Sequence, residues 1–190
     1  MKRLSYKDIP NILSLMRGLL VLPFVLNIYT IYLLEHSTNW TLIVLFFIII
    51  ISDILDGSLA RKFNCTSDFG AKLDIISDAF YTISSLIVLA YINITPVWFV
   101  LIMVIKLLEF IITSKIINFK QKTKNIAIFD KTGKISVLII MLLPGFFIFR
   151  CVIVEYKIIM NMIINVITIM IIISFVNRII ITIKYIRIKK

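Results

Sequence analysis

Charge is scarce in this 190-residue sequence: 16% of positions are charged, 61% are apolar, and the mean hydropathy is +1.05. A soluble domain carries about 25% charged residues, so the composition excludes one. Runs such as 42–51 and 158–176 leave no polar face for water. Glycine (5) and proline (4) are too few for a low-complexity linker. The two cysteines, Cys65 and Cys151, have neither CxxC nor paired spacing, which excludes a disulfide framework and a zinc site. His36 is the single histidine, so no second imidazole exists to share a metal.

What is present in quantity is membrane-spanning length. A helix crossing the hydrocarbon needs about 20 residues, and polar clusters divide the chain into six such stretches: 12–34, 40–61, 69–92, 96–117, 133–154 and 158–184. The expectation is an all-α polytopic membrane protein of six transmembrane helices, a single membrane domain over 1–190 with no room for a soluble one. The opening 1–10, with Tyr6 and Ile9 among Lys2, Arg3, Lys7 and Asp8, reads as a retained interfacial segment lying on the membrane surface.

Six spans put both termini on one side. Sixteen of the 21 Lys and Arg fall on that side, in the opening segment, the 61–72 and 115–134 connections and the tail; Arg150 and Lys157 fall opposite, and Arg17, Lys106 and Arg178 lie inside spans. By the positive-inside rule both termini and the basic loops are expected in the cytoplasm, the protein residing in the cell membrane. The net charge of +11 is then topology and attraction to anionic headgroups, and membrane lipids rather than nucleic acid are the expected partners.

Acids are fewer still. Of ten, five (Asp53, Asp56, Asp68, Asp74 and Asp78) fall within 26 residues, four of them in otherwise apolar helix. Each Asp near mid-membrane opposes insertion by about 3 kcal/mol, so something must compensate them. Asp53 and Asp56 are spaced i, i+3 and Asp74 and Asp78 i, i+4, so each pair shares a helix face. The short 62–68 connection predicts an antiparallel hairpin that brings the faces together. Four carboxylates without His or Cys suit hard ions, Mg²⁺ or Mn²⁺, and two divalent ions would balance the charge. Gly57, Ala60 and Gly70 remove bulk beside the acids, and Arg61 adds a forked cation for a bound phosphate. The arrangement reads as a diphosphate site at the cytoplasmic end. Acidic clusters also line ion pathways, so a divalent-cation transporter is the alternative from a different class.

Written out, 53–78 is DILDGSLARKFNCTSDFGAKLDIISD, or D-x2-D-G-x2-A-R-x8-G-x3-D-x3-D. This resembles the signature of the CDP-alcohol phosphatidyltransferase family (class I), including phosphatidylglycerophosphate-synthase-like members, with every fixed position occupied. Asn11, Ser14 and Arg17 look like the start of the family's first helix, and Gly133-Lys134 like the start of its fifth. The resemblance implies six helices and transfer of a phosphatidyl group from a CDP-linked lipid, CDP-diacylglycerol, to a small alcohol, with release of CMP. It further implies that Asp53, Asp56, Asp74 and Asp78 hold the metals, that Asp78 is also the general base, and that Asp56, Gly57, Ala60, Arg61 and Gly70 line the CDP pocket.

For the acceptor, glycerol 3-phosphate comes first, followed by inositol phosphate, serine, or a non-lipid CDP-alcohol donor. Where glycerol-phosphate members carry Lys after the last Asp and Arg before a Glu in the fourth helix, this sequence has Ala79 and Leu108, with Glu109 retained. Lys106 and Glu109, i, i+3 on the fourth span, are expected to neutralise each other. Arg17 has two open readings, snorkelling to the interface or contact with the substrate diphosphate. A homodimer is expected from the family analogy, with Phe80, Trp98, Phe99 and Phe110 available to pack at the interface or to face lipid.

Overall fold

A computed structural model of the chain describes residues 9–34, 40–62, 68–121, 131–151 and 155–187. Six α-helices follow one another: α1 (Ile9–Leu33), α2 (Trp40–Lys62), α3 (Asp68–Tyr91), α4 (Val97–Gln121), α5 (Lys131–Phe146) and α6 (Tyr156–Arg187). No strand occurs among the described residues. The opening segment 1–8, His36 and Cys65 lie outside them, as do the side chains of Ala60, Arg61, Asp68, Lys134 and Cys151.

Five helices are long and apolar enough to cross a membrane, which makes this a multi-pass membrane protein. The fifth expected span differs from its sequence outline. Its α-helix stops at Phe146, two residues after Pro144, and the chain continues as the 3-10 segment Phe147–Cys151. Pro144 lies inside that helix, where its missing N–H takes away the bond to the carbonyl four residues earlier. The apolar stretch here, Val137–Arg150, is shorter than the other five spans. Close packing also bears on this stretch, because a Cβ on Gly145 would fall 2.1 Å from the Phe46 ring of α2.

Helices that are apolar on every side sort their faces by shape and by the few polar groups they carry. On α1, Ser14, Arg17, Val21, Phe24, Ile28 and Ile31 are buried while Leu15, Leu19, Leu22 and Leu26 are exposed to the lipid side. On α6, Met160, Ile164, Ile167, Ile171, Ser174 and Arg178 turn inward and Met162, Val166, Ile169 and Ile180 outward.

The helices pack in a definite order, with the acid-bearing ends of α2 and α3 side by side. α3 reaches α4 and α5, and α6 packs on α4 and α5. The acid-bearing faces meet directly through their carboxylates, and α1 packs along both helices and sends Arg17 between them. At the other end of α3 the chain turns tightly: Ile94 N–H donates to Leu89 C=O (2.8 Å) and Asn93 N–H to Ala90 C=O (3.0 Å). Asn93 takes φ = 56°, the left-handed cap that closes a Schellman motif and that asparagine tolerates better than most residues.

Candidate active site

The site is built on one residue of α1. Arg17 is fully buried, so the snorkelling alternative is excluded. Its Nη1 pairs with Asp53 Oδ1. Its Nη2 donates to Asp74 Oδ1 (2.5 Å) and lies 3.4 Å from Asp56 Oδ2 and 3.0 Å from Asp78 Oδ1. A guanidinium presents five N–H donors in a planar fork, which is how one side chain reaches carboxylates on two helices. α1 adds two further ties: Ser14 Oγ donates to Asp56 Oδ2 (2.9 Å), and Ser77 Oγ of α3 donates to the Ser14 carbonyl (2.9 Å). Ser14 and Arg17 are i, i+3, so a single face of α1 serves both acid pairs.

Access differs among the four acids. The Asp56 side chain is 4% exposed, whereas Asp53, Asp74 and Asp78 retain 28, 39 and 27%. Asp56 is thus anchored from below by Ser14 while the other three face an opening. Gly57 and Gly70 are half-buried along the same two helices, where small residues leave room beside the carboxylates.

The charges do not balance. Four carboxylates surround one guanidinium, and uncompensated charge out of water is costly. One ligand oxygen from each of Asp53, Asp56 and Asp74 lies within 4.8 Å of the others. Asp78 Oδ1, although near Arg17, is buried without a hydrogen bond among the described residues. All-oxygen donors, a shortage of positive charge and an orphaned carboxylate oxygen fit hard divalent cations.

Sequence reasoning misjudged a second polar centre. Lys106 Nζ does donate to Glu109 Oε2 (2.9 Å), as expected. However, Arg178 of α6 also approaches Glu109, with Nε 3.4 Å from Oε1, so the pair is not closed on itself. Arg178 donates to Thr113 Oγ1 (2.5 Å), Ser114 Oγ (2.6 Å) and the Phe110 carbonyl (3.2 Å), and its guanidinium sits 4.6 Å from the Phe110 ring centroid. The available signal was the count of charges inside spans, three cations with Glu109 alone outside the Asp cluster. The expected interface aromatics also divide: Phe99 is fully buried, Phe110 lies under Arg178, and only Phe80 and Trp98 are exposed.

Between the two centres lies an apolar groove of about 110 Å³ walled by α3, α4 and α5, with Asp78 and Lys106 both on its lining.

Comparison with known proteins gives matches over part of the chain. The CDP-diacylglycerol--glycerol-3-phosphate 3-phosphatidyltransferase of Cereibacter sphaeroides is 37% identical over 95 residues, covering 50% of this chain and 42% of that protein. The enzyme of the same name from Bacillus subtilis is 34% identical over 70 residues, covering 37% and 35%. The cardiolipin synthase (CMP-forming) of Streptomyces coelicolor is 40% identical over 68 residues, covering 36% and 31%. The chain thus matches less than half the length of each of these relatives. Across its own length the likeness is broader, because the profile described as CDP-alcohol phosphatidyltransferase matches residues 7–177. A match over that much of a six-helix chain, with the motif's acids gathered around a buried α1 arginine, establishes that the chain belongs to the CDP-alcohol phosphatidyltransferase family, whose members depend on divalent cations.

Proposed function

We propose that this protein transfers the phosphatidyl group of CDP-diacylglycerol to glycerol 3-phosphate and releases CMP. The observation that carries the reading is the unbalanced carboxylate cluster on α2 and α3, centred on Arg17 and open on one side. Relatives named for this transfer support the choice of donor and acceptor.

Asp53, Asp56 and Asp74 would hold the divalent ions, two of Mg²⁺ or Mn²⁺, with Asp78 sharing the second. When bound, such ions offset charge on the diphosphate oxygens and on the departing CMP. The chain's own groups do the rest. Ser14 holds Asp56 in place, and Arg17 keeps both carboxylate pairs in register. Asp78 accepts the proton of the acceptor hydroxyl, whose oxygen attacks phosphorus as the bond to CMP breaks. Gly57, Ala60, Arg61 and Gly70 would line the nucleotide side. The basic-residue asymmetry supports an orientation with the termini and this site on the cytoplasmic side of the cell membrane, where nucleotide and glycerol 3-phosphate are in water and acyl chains stay in lipid.

A homodimer with one complete site per subunit is consistent with all four acids and Arg17 coming from one chain. Mixing inactive Asp53→Asn subunits with inactive Asp78→Asn subunits should then restore no activity; substantial rescue would mean shared sites. The function itself is tested with purified protein, CDP-diacylglycerol, Mg²⁺ or Mn²⁺, and a panel of glycerol 3-phosphate, inositol phosphate and serine. CMP release dependent on glycerol 3-phosphate is expected. Ion flux in liposomes with the nucleotide left intact would instead establish transport.

A further inference from the structure

Helix α6 carries two side chains that lipid cannot satisfy. Its span, Tyr156–Lys184, rises about 42 Å, so a centred hydrocarbon layer of roughly 30 Å takes in Asn165 by about 8 Å and leaves Asn161 near its boundary. Both are exposed on the outside of the bundle, and neither has a hydrogen-bond partner among the described residues. Other polar groups of the helix are satisfied: Thr168 and Thr182 donate to the Ile164 and Arg178 carbonyls, each at 2.8 Å. A carboxamide has two N–H donors and an oxygen with two lone pairs. Acyl chains answer none of these, so an unpartnered one in hydrocarbon is costly.

The asparagines sit in a stripe. Ile158, Asn161, Asn165, Ile169, Ile172 and Val176 follow one another at steps of three or four residues, all exposed, which puts them on one face along most of the span. Apart from the asparagines this stripe is β-branched throughout, and it carries no charge. β-branched residues interrupted by asparagine suit a two-stranded helical seam, in which a facing asparagine pair fixes the register and the number of strands.

We propose that a second copy of this chain docks on the asparagine face of α6, parallel and two-fold related, with Asn165 of each copy hydrogen-bonded to Asn165 of the other. The membrane decides the orientation. Copies inserted with the same topology are parallel, so a two-fold axis along the bilayer normal brings each residue to the depth of its counterpart. A carboxamide donates through nitrogen and accepts through oxygen, so two identical ones complete each other. A different protein would need a matching polar group at the same depth. α6 packs on α4 and α5, so a partner on its outer face leaves the open side of the Arg17 cluster uncovered and each site complete within one chain. The exposed Phe80 and Trp98 then face lipid. The inference goes beyond the transferase reading and does not depend on it.

Two measurements test this. First, the monomer–dimer balance of fluorescently labelled protein is followed by energy transfer in liposomes as added lipid dilutes it. Asn165→Leu should raise the protein density at half-dimerisation about tenfold, the worth of a polar pair between spans. Asn177→Leu removes an exposed carboxamide from another flank of α6 and should shift it less than about twofold. Equal shifts, no shift, or a monomer at every density would overturn the assignment. Second, full-length protein carrying Cys65→Ser and Cys151→Ser receives one cysteine at a time and is oxidised in the membrane, a readout that needs no loss of affinity. Ile172→Cys and Val176→Cys should give covalent dimers, and Val166→Cys, exposed on a different side of the helix, should not. Covalent dimers through Phe80→Cys or Trp98→Cys with none through α6 would put the interface on α3 and α4 and overturn the proposal.

Discussion

Among the described residues two arginines are buried, and their surroundings differ in the quantity that separates a reactive site from a structural one. Arg17 meets four carboxylates, three of them partly open to the exterior. Arg178 meets two hydroxyls, a carbonyl, an aromatic face and one shared carboxylate, all enclosed. In the α1–α2–α3 half negative charge exceeds what one guanidinium can balance, so the arrangement is complete only with added cations. In the α4–α6 half neutral oxygens satisfy the guanidinium and only one positive charge is left over, from Arg178 and Lys106 sharing Glu109, so the same residue ties helices together. The lesson is that burial of an arginine says little until its partners are counted by charge and by access.

The largest expected effect lies on the open side of this contrast. Asp78→Asn should lower CMP release by roughly 10² to 10⁴, the usual worth of a positioned general base, while donor binding persists because Asp53, Asp56 and Asp74 remain. Asp56→Asn should instead weaken divalent-ion and donor binding together. If both variants lost only binding, or neither lost anything, the division of labour among the four acids would be wrong. Donor-concentration series with CMP detection separate these outcomes.

Next come the arginines themselves, read by thermal unfolding in detergent. Arg178→Met strands Thr113, Ser114 and one side of Glu109 in an enclosed place and should cost about 3 kcal/mol, in the range for breaking a buried ion pair. Added Mn²⁺ should not restore it. Arg17→Met also leaves buried carboxylates uncompensated, but here Mn²⁺ should recover most of the lost Tm, since cations can enter where the guanidinium was. Equal responses to metal in the two variants would erase the distinction between the halves.

The smallest effect belongs to the α3–α4 turn, which touches neither arginine. Asn93→Val forces a β-branched residue into a left-handed backbone and should cost about 1 to 2 kcal/mol, whereas Asn93→Gly should be neutral or slightly stabilising. Both should leave KM for the donor unchanged. A change in KM from this turn would mean that the two ends of α3 are coupled.

Much of this was legible before any coordinates. The six apolar stretches follow from the length a bilayer demands, and the acids are conspicuous because charge in hydrocarbon needs a reason. Periodicity alone placed each pair of acids on one helix face. Helix packing, by contrast, was not readable. Spans that are apolar all round carry no stripe saying which neighbour they meet, so the short α2–α3 connection brought the acids together on paper but gave no sign that α1 packs along both helices. Arg17 kept two readings because an arginine near a helix end can reach water or a partner, and its backbone position does not choose. Lys106 and Glu109 looked self-sufficient because i, i+3 spacing is visible in sequence, while Arg178 approaches from a helix 69 residues further on than Glu109. Hydropathy and spacing are local properties and determine spans and faces. Which charges share a site depends on contacts between distant helices, and those arise only when small and polar groups choose neighbours in three dimensions.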